Sequence, residues 1–144
     1  MATIFTIGYE RLLPPELVAE LEAAGVKRVV DVRFRPQSRR PGMSKTRLGE
    51  LLGDHGIAYQ HRKALGTPPD IRWYFKHGRS AEGASLFRAH VESAADELDA
   101  LAAELEFAPP TALMCLEADP AVCHRRVVAE ALVARRPDLV VVDL

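Results

Sequence analysis

No apolar run in the chain approaches the ~20 residues that a membrane-crossing helix needs, which argues against a membrane protein. No Walker sequence and no G-x-G-x-x-G pattern occurs, so a standard loop for nucleotide phosphates is not supported. Only two cysteines are present, Cys115 and Cys123, too few for a disulfide framework. A reducing cytoplasm is therefore the expected setting. The stretch from Met1 to Ile7 has no basic residue ahead of its apolar part and is not expected to act as a signal peptide. Net charge is only −1, which predicts no general attraction to nucleic acid or membrane. Internal repeats, linkers and low-complexity tracts are also missing.

What is there fits one soluble globular domain. The chain has 144 residues, 48% of them hydrophobic and 27% charged. A chain of that length buries about two-thirds of its unfolded surface, enough for a real core. The small net charge hides a strong segregation. Residues 27 to 79 hold thirteen Lys or Arg against four Asp or Glu, and residues 81 to 119 hold one Arg against nine acids. The two segments either face each other, or face water, or leave a focused basic patch for an anion.

Taken in order, Thr3 to Ile7 is a β-branched and aromatic run that predicts a strand ended by Gly8. Pro14-Pro15-Glu16 opens a helix that buries Leu17, Val18 and Leu21 and stops at Gly25. Val26 to Val32 predicts a second strand. A loop with Arg33, Arg35, Arg39, Arg40 and Lys45 follows. Ser44 is the expected N-cap of a short helix carrying Leu48, Leu51 and Leu52. Ile57 to Gln60 is a third strand. His61 to Arg79 contains Gly66, Pro68, Pro69 and Gly78 around Trp73-Tyr74-Phe75, and predicts a long loop with an aromatic knot. From Ala81 to Glu106 apolar residues recur at three- and four-residue steps, predicting one helix.

The densest stretch is Thr111 to Arg126, TALMCLEADPAVCHRR. Its apolar run predicts a buried strand, with Asp119 capping a helix that opens at Pro120 and runs to about Arg136. Leu139 to Val142 is the last strand. Alternating strands and helices give an α/β domain of three layers, with a mostly parallel sheet of about five strands and helices on both faces. If the strands are parallel, Gly8-Tyr9, Asp31 to Arg40, His61 to Arg79 and Cys115 to His124 gather at one carboxyl edge, where open α/β sheets bind ligands.

Cys115 through Arg125, CLEADPAVCHR, resembles the signature of domain-of-unknown-function family 488. Thr6-Ile7-Gly8-Tyr9 is similar to the family's opening motif. Asp31-Val32-Arg33, Arg35-Pro36, Ser38-Arg39, Pro41-Gly42 and Ser44-Lys45 are similar to its second. The resemblance implies an α/β fold and no established activity. Asp31-Val32-Arg33 is also similar to sulfurtransferase domains of the rhodanese type. The arginine those place shortly after their cysteine has no counterpart here before Arg125.

Each candidate residue has a bland reading beside the sharper one. Cys115 is either a small hydrophobe in its strand or a thiolate nucleophile at the sheet edge. Glu117 is a general acid or base, or a solvated loop acid. His124 is a candidate for proton transfer. Asp31 is either a buried partner of Arg33 or a catalytic carboxylate, the former being preferred. Tyr9, Asp31, Arg33, Arg35, Arg39 and Arg125 are the expected anion-binding set, since guanidinium forks suit phosphate. Trp73, Tyr74 and Phe75, with Arg72, Lys76, His77 and Arg79, are either a stacking surface for bases or a loop's own small core.

A metal is not expected. The spacing C-x7-C-H departs from the usual zinc knuckle, and adjacent Cys and His in a helix point about 100° apart. A disulfide between the two cysteines needs a Cα separation that sequence does not supply. No cofactor is expected. The leading expectation is a small cytoplasmic enzyme acting on an anionic small molecule or a nucleic-acid component. The alternative is a non-enzymatic module that binds nucleic acid or protein, with structural cysteines.

Overall fold

The computed structural model describes residues 2–119 and 123–144. Five strands form one sheet: β1 (Thr3–Gly8), β2 (Arg28–Asp31), β3 (Ala58–His61), β4 (Thr111–Cys115) and β5 (Val140–Asp143). Their spatial order is β3-β2-β4-β1-β5 and every pairing is parallel. Six α-helices cover it: α1 (Pro14–Ala23), α2 (Lys45–Asp54), α3 (Pro69–Lys76), α4 (Ser80–Glu92), α5 (Ala95–Glu104) and α6 (Arg125–Arg135). The fold is thus α/β, as the alternation of elements predicts. Among the described residues no helix is long and apolar enough to cross a membrane.

Side chains of each strand alternate between two cores. Val29, Ala112 and Met114 face α1 and α2, where they meet Leu17, Leu21, Leu48 and Leu52. Val30, Leu113 and Cys115 face α4, α5 and α6, with Phe87, Leu98, Leu101, Val128 and Leu132. The connections leaving β1 and β4 therefore run to opposite faces. That is the arrangement which opens a crevice at the carboxyl edge of such sheets.

Register places the strand ends together. Gly8 pairs with Cys115, and Asp31 pairs with both Met114 and His61. The first turns after β1 and β4 remain in contact, the Tyr9 and Glu10 amides donating to the Cys115 and Leu116 carbonyls at 3.2 and 2.8 Å. This close approach needs Gly8. A Cβ there would lie 1.7 Å from the Glu117 carbonyl oxygen and 2.8 Å from Arg125 Nη1.

Three local expectations are corrected. The segment from His61 to Arg79 is not a long loop, for it holds a 3-10 turn (Lys63–Leu65) and α3. Pro69 starts that helix, Asp70 lies in its first turn, and Gly78, at φ +71°, ends it. The single helix expected from Ala81 to Glu106 is two. At Ser93 the hydroxyl donates to the His90 carbonyl, and this local bond competes with continuation of α4. Asp119 is not the cap of the last helix, which begins at Arg125 with His124 in the N-cap position. The expected start at Pro120 lies outside the described residues.

Part of the charge segregation is internal. Arg28 and Arg62 both pair with Glu104, at 2.8 and 2.6 Å, and Arg62 also reaches Glu97 at 3.4 Å. Acidic α5 thus answers the basic flank of β2 and β3.

Candidate functional site

The first group at the carboxyl edge is a buried tie. Asp31, fully buried, accepts from Arg33 at three donors: Nη2 at 2.8 Å, Nε at 3.0 Å and the backbone amide at 3.0 Å. The remaining Arg33 nitrogen, Nη1, donates to the Met43 carbonyl at 2.7 Å and the Tyr9 hydroxyl at 3.1 Å. Tyr59 donates its hydroxyl to Asp31 as well. Burial works to lower the Arg33 pKa, but the hydrogen bond and charge of Asp31 outweigh it and hold the group above its ordinary value. Tyr59 is pushed up, by burial first and then by the adjacent Asp31 carboxylate.

Arg33, Asp31 and Tyr9, all three expected in the anion-binding set, therefore engage one another. Asp31 sits two residues before Arg33 at the end of a central strand, so the pair closes inward. Arg40 is a second tie, donating to the carbonyls of Tyr9, Glu10 and Leu12 at 2.6 Å each. Ser44 occupies the N-cap position of α2, as expected, but its Oγ accepts from the Ser38 amide at 3.0 Å and makes no cap bond.

With Arg33 and Arg40 engaged, the loop turns Arg35 and Arg39 to the other side. There they line a groove of about 650 Å³ together with Arg72, Lys76, Trp73 and His77 of the α3 segment. Its lining contains no acidic residue. Two lining residues, Thr67 and Arg72, each keep a buried polar atom, Oγ1 and Nε, with no hydrogen-bond partner within the protein. Trp73, the sole tryptophan, is 45% exposed and stacks on His77 with centroids 4.4 Å apart. The two walls are pinned at Gly66, where a Cβ would fall 2.4 Å from the Phe34 backbone. The basic loop and the aromatic-basic segment, separate features in sequence, thus form one surface.

The second group is built on sulfur. Cys115 and Cys123 are joined as a disulfide and both are buried, at 0% and 3% exposure. The structure thus shows Cys115 as part of a buried pair, not as an exposed thiolate. Arg125, wholly buried, donates through Nη1 to Cys115 Sγ at 3.1 Å and to the Glu117 carbonyl, and through Nη2 to the Ala118 carbonyl at 3.1 Å. Burial lowers its pKa from the ordinary arginine value. Its donors hold the two residues Glu117 and Ala118 just after β4.

Glu117 is half-buried, and its Oε2 lies 3.6 Å from Cys115 Sγ. His124 Nε2 lies 2.6 Å from the Val32 carbonyl oxygen, and Nδ1 lies 3.9 Å from Cys123 Sγ. Burial first, then the Arg72 and Arg125 cations, pull the His124 pKa down to about 4 against the Val32 bond and Asp31, so the ring is neutral at pH 7. Arg72 is the physical link between the centres, lining the groove while its charge acts on His124. Cys115 Sγ, Cys123 Sγ and a His124 ring nitrogen all lie within 4.8 Å of one another, a set that could hold a metal ion.

Of the residues that sequence reasoning singled out, Cys115, Glu117, His124 and Arg125 converge on the sulfur centre. Tyr9, Asp31 and Arg33 form the tie, and Arg35 and Arg39 form part of the groove. Thr67 was missed; it carries no motif, and only its burial without a partner reveals it.

A family model described as Domain of unknown function DUF488 matches residues 14–132. That span contains the whole groove and the sulfur centre, and leaves Thr6-Ile7-Gly8-Tyr9 outside it. No curated protein and no solved structure matches the chain.

Proposed function

The chain belongs to the family described as Domain of unknown function DUF488, a description that names no reaction, and from its own side chains we propose a small cytoplasmic enzyme acting on a phosphate-bearing substrate of nucleotide size. The groove carries this reading. Arg35, Arg39, Arg72 and Lys76 line it without any carboxylate to neutralise them. Its volume, about 650 Å³, lies within the range of small-molecule sites, ~300–1,000 Å³. Guanidinium forks match phosphate oxygens bidentately. Thr67 Oγ1 and Arg72 Nε are buried in its wall and lack partners inside the protein. The Trp73 face offers a base somewhere to stack. The chemistry is assigned to the adjoining centre, where Glu117 is the carboxylate that reaches solvent beside Cys115.

Full burial of both cysteines favours a second reading, a binding module in which the same groove follows a nucleic-acid strand. Trp73 fluorescence tests both. Nucleoside phosphates, inorganic phosphate and single-stranded oligonucleotides are titrated at several salt concentrations. The enzyme reading expects saturable quenching by a nucleoside phosphate with a shallow salt dependence. Arg39→Ala and Arg72→Met should each weaken binding roughly 10- to 100-fold, the value of a charge-assisted hydrogen bond. Log K for a tracked strand falls by about 0.7 per phosphate contacted for each tenfold rise in salt, and a steep slope would select the second reading. Quenching by none of these ligands would remove both.

A further inference from the structure

The sulfur centre carries more than a disulfide. Cys115 ends β4, and Cys123 and His124 lie just ahead of α6. Adjacent Cys and His on a helix diverge, but these two precede the helix and their ligand atoms converge with Cys115 Sγ inside 4.8 Å. All three side chains are buried, which sets the cluster apart from chance groupings of exposed acids.

The imidazole is oriented by a single bond. The Val32 carbonyl oxygen, 2.6 Å from Nε2, can only accept, so Nε2 carries the hydrogen and Nδ1 keeps its lone pair. Nδ1 is the nitrogen turned toward Cys123 Sγ. Metal-bound histidines characteristically give their other N–H to a carbonyl or carboxylate in this way. The sulfurs are also served as thiolates would be. Arg125 Nη1 donates to Cys115 at 3.1 Å, and the Arg125 amide donates to Cys123 at 3.5 Å. The two Cα atoms are 7.6 Å apart, wider than the roughly 4.4–6.8 Å usual for a disulfide.

We propose that Cys115, Cys123 and His124 form a binding site for one divalent metal ion of zinc-like softness, filled when the cysteines are reduced. Two sulfurs and an imidazole are the donor set that zinc favours. The disulfide and metal-bound forms exclude each other. A dithiol reductant breaks the S–S bond with two electrons, leaving two thiols and becoming a disulfide itself. Metal binding then releases the two thiol protons to solvent as both sulfurs become thiolates. The two negative charges balance the ion. Three protein donors leave a fourth position, which Glu117 or a water molecule completes. Water in that position would make an open site of the catalytic kind, and Glu117, its Oε2 3.6 Å from Cys115 Sγ, would close it as a structural one.

The test uses the full chain, reduced, incubated with excess zinc and freed of unbound metal by gel filtration. One zinc per chain is expected, released when a thiol reagent titrates both cysteines. Cobalt in place of zinc should give sulfur-to-metal charge transfer and the visible bands of a tetrahedral site. Cys115→Ser and Cys123→Ser should lose stoichiometric zinc, and His124→Asn should lose the tetrahedral cobalt bands. Circular dichroism checks that each variant is folded. The wild-type cobalt spectrum stands even if one variant is not. Reduced wild-type protein that takes up no metal, or zinc retained by both cysteine variants, overturns the proposal. No phosphate ligand is present in these measurements, so the result is independent of the groove.

Discussion

Replacing Asp31 by alanine should unmask a large electrostatic dependence in the fold. The carboxylate is fully buried and accepts from Arg33 three times and from Tyr59 once. Its removal leaves the Arg33 guanidinium, 3% exposed, facing only the Met43 carbonyl and the Tyr9 hydroxyl. Breaking one side of a buried pair costs about 3–5 kcal/mol, because the other charge stays desolvated. Whole-domain stability is only about 5–15 kcal/mol, so roughly a fifth or more of it is at stake. The midpoint of thermal unfolding should fall by roughly 10–20 °C. Asp31→Asn, which keeps an acceptor, should lose less. Asp31→Leu combined with Arg33→Met removes both charges and should recover most of the deficit. Urea unfolding followed by Trp73 fluorescence and by far-ultraviolet circular dichroism gives the free energies by linear extrapolation. A loss below about 1 kcal/mol for Asp31→Ala, or a double variant no better than the single, would refute a structural pair. Asp31 and Arg33 would then return as candidates for binding or chemistry.

Other outcomes follow from the same edge. Gly8→Ala should destabilise by about 3 kcal/mol or prevent folding, since its Cβ meets the Glu117 backbone rather than a movable side chain; urea midpoints measure it, and an unchanged midpoint would contradict the close approach. Tyr59 holds its proton more tightly folded than unfolded. Its contribution is complete below the unfolded value of ~10 and is lost as pH rises above it, so stability should drop in alkali, less steeply in Tyr59→Phe. Gly66→Ala should separate Phe34 from Thr67 and weaken phosphate quenching of Trp73 more than it lowers stability.

The alternation of β-branched runs with amphipathic ones made the parallel sheet legible, and with it the gathering of four distant segments at one edge. The partition among arginines was not. Arg33 and Arg35 differ by two positions, yet one closes inward on Asp31 and the other faces the groove. Only the three-dimensional path of a loop with Pro36, Pro41 and Gly42 decides which. The α3 helix was hidden because Pro68-Pro69 signals a turn as readily as a helix start, and three consecutive aromatics blur any periodicity. At Cys123 and His124 the structure differs in where the helix begins. A shift of its start to Arg125 turns two diverging side chains into converging ones.

The middle position of β4 sets the order in which the protein can be made. β1 and β2 do not pair with each other; each pairs with β4, about eighty residues after β2. Contacts of such sequence separation form late and slowly. During synthesis the arginine loop and the aromatic helix emerge long before the strand that anchors their sheet. Cys115 and Cys123 therefore leave the ribosome into a half-built domain, as free thiols open to whatever the surroundings offer. On the metal-site proposal, the compartment then decides, at the moment the last central strand slots in, whether sulfur meets sulfur or a metal ion.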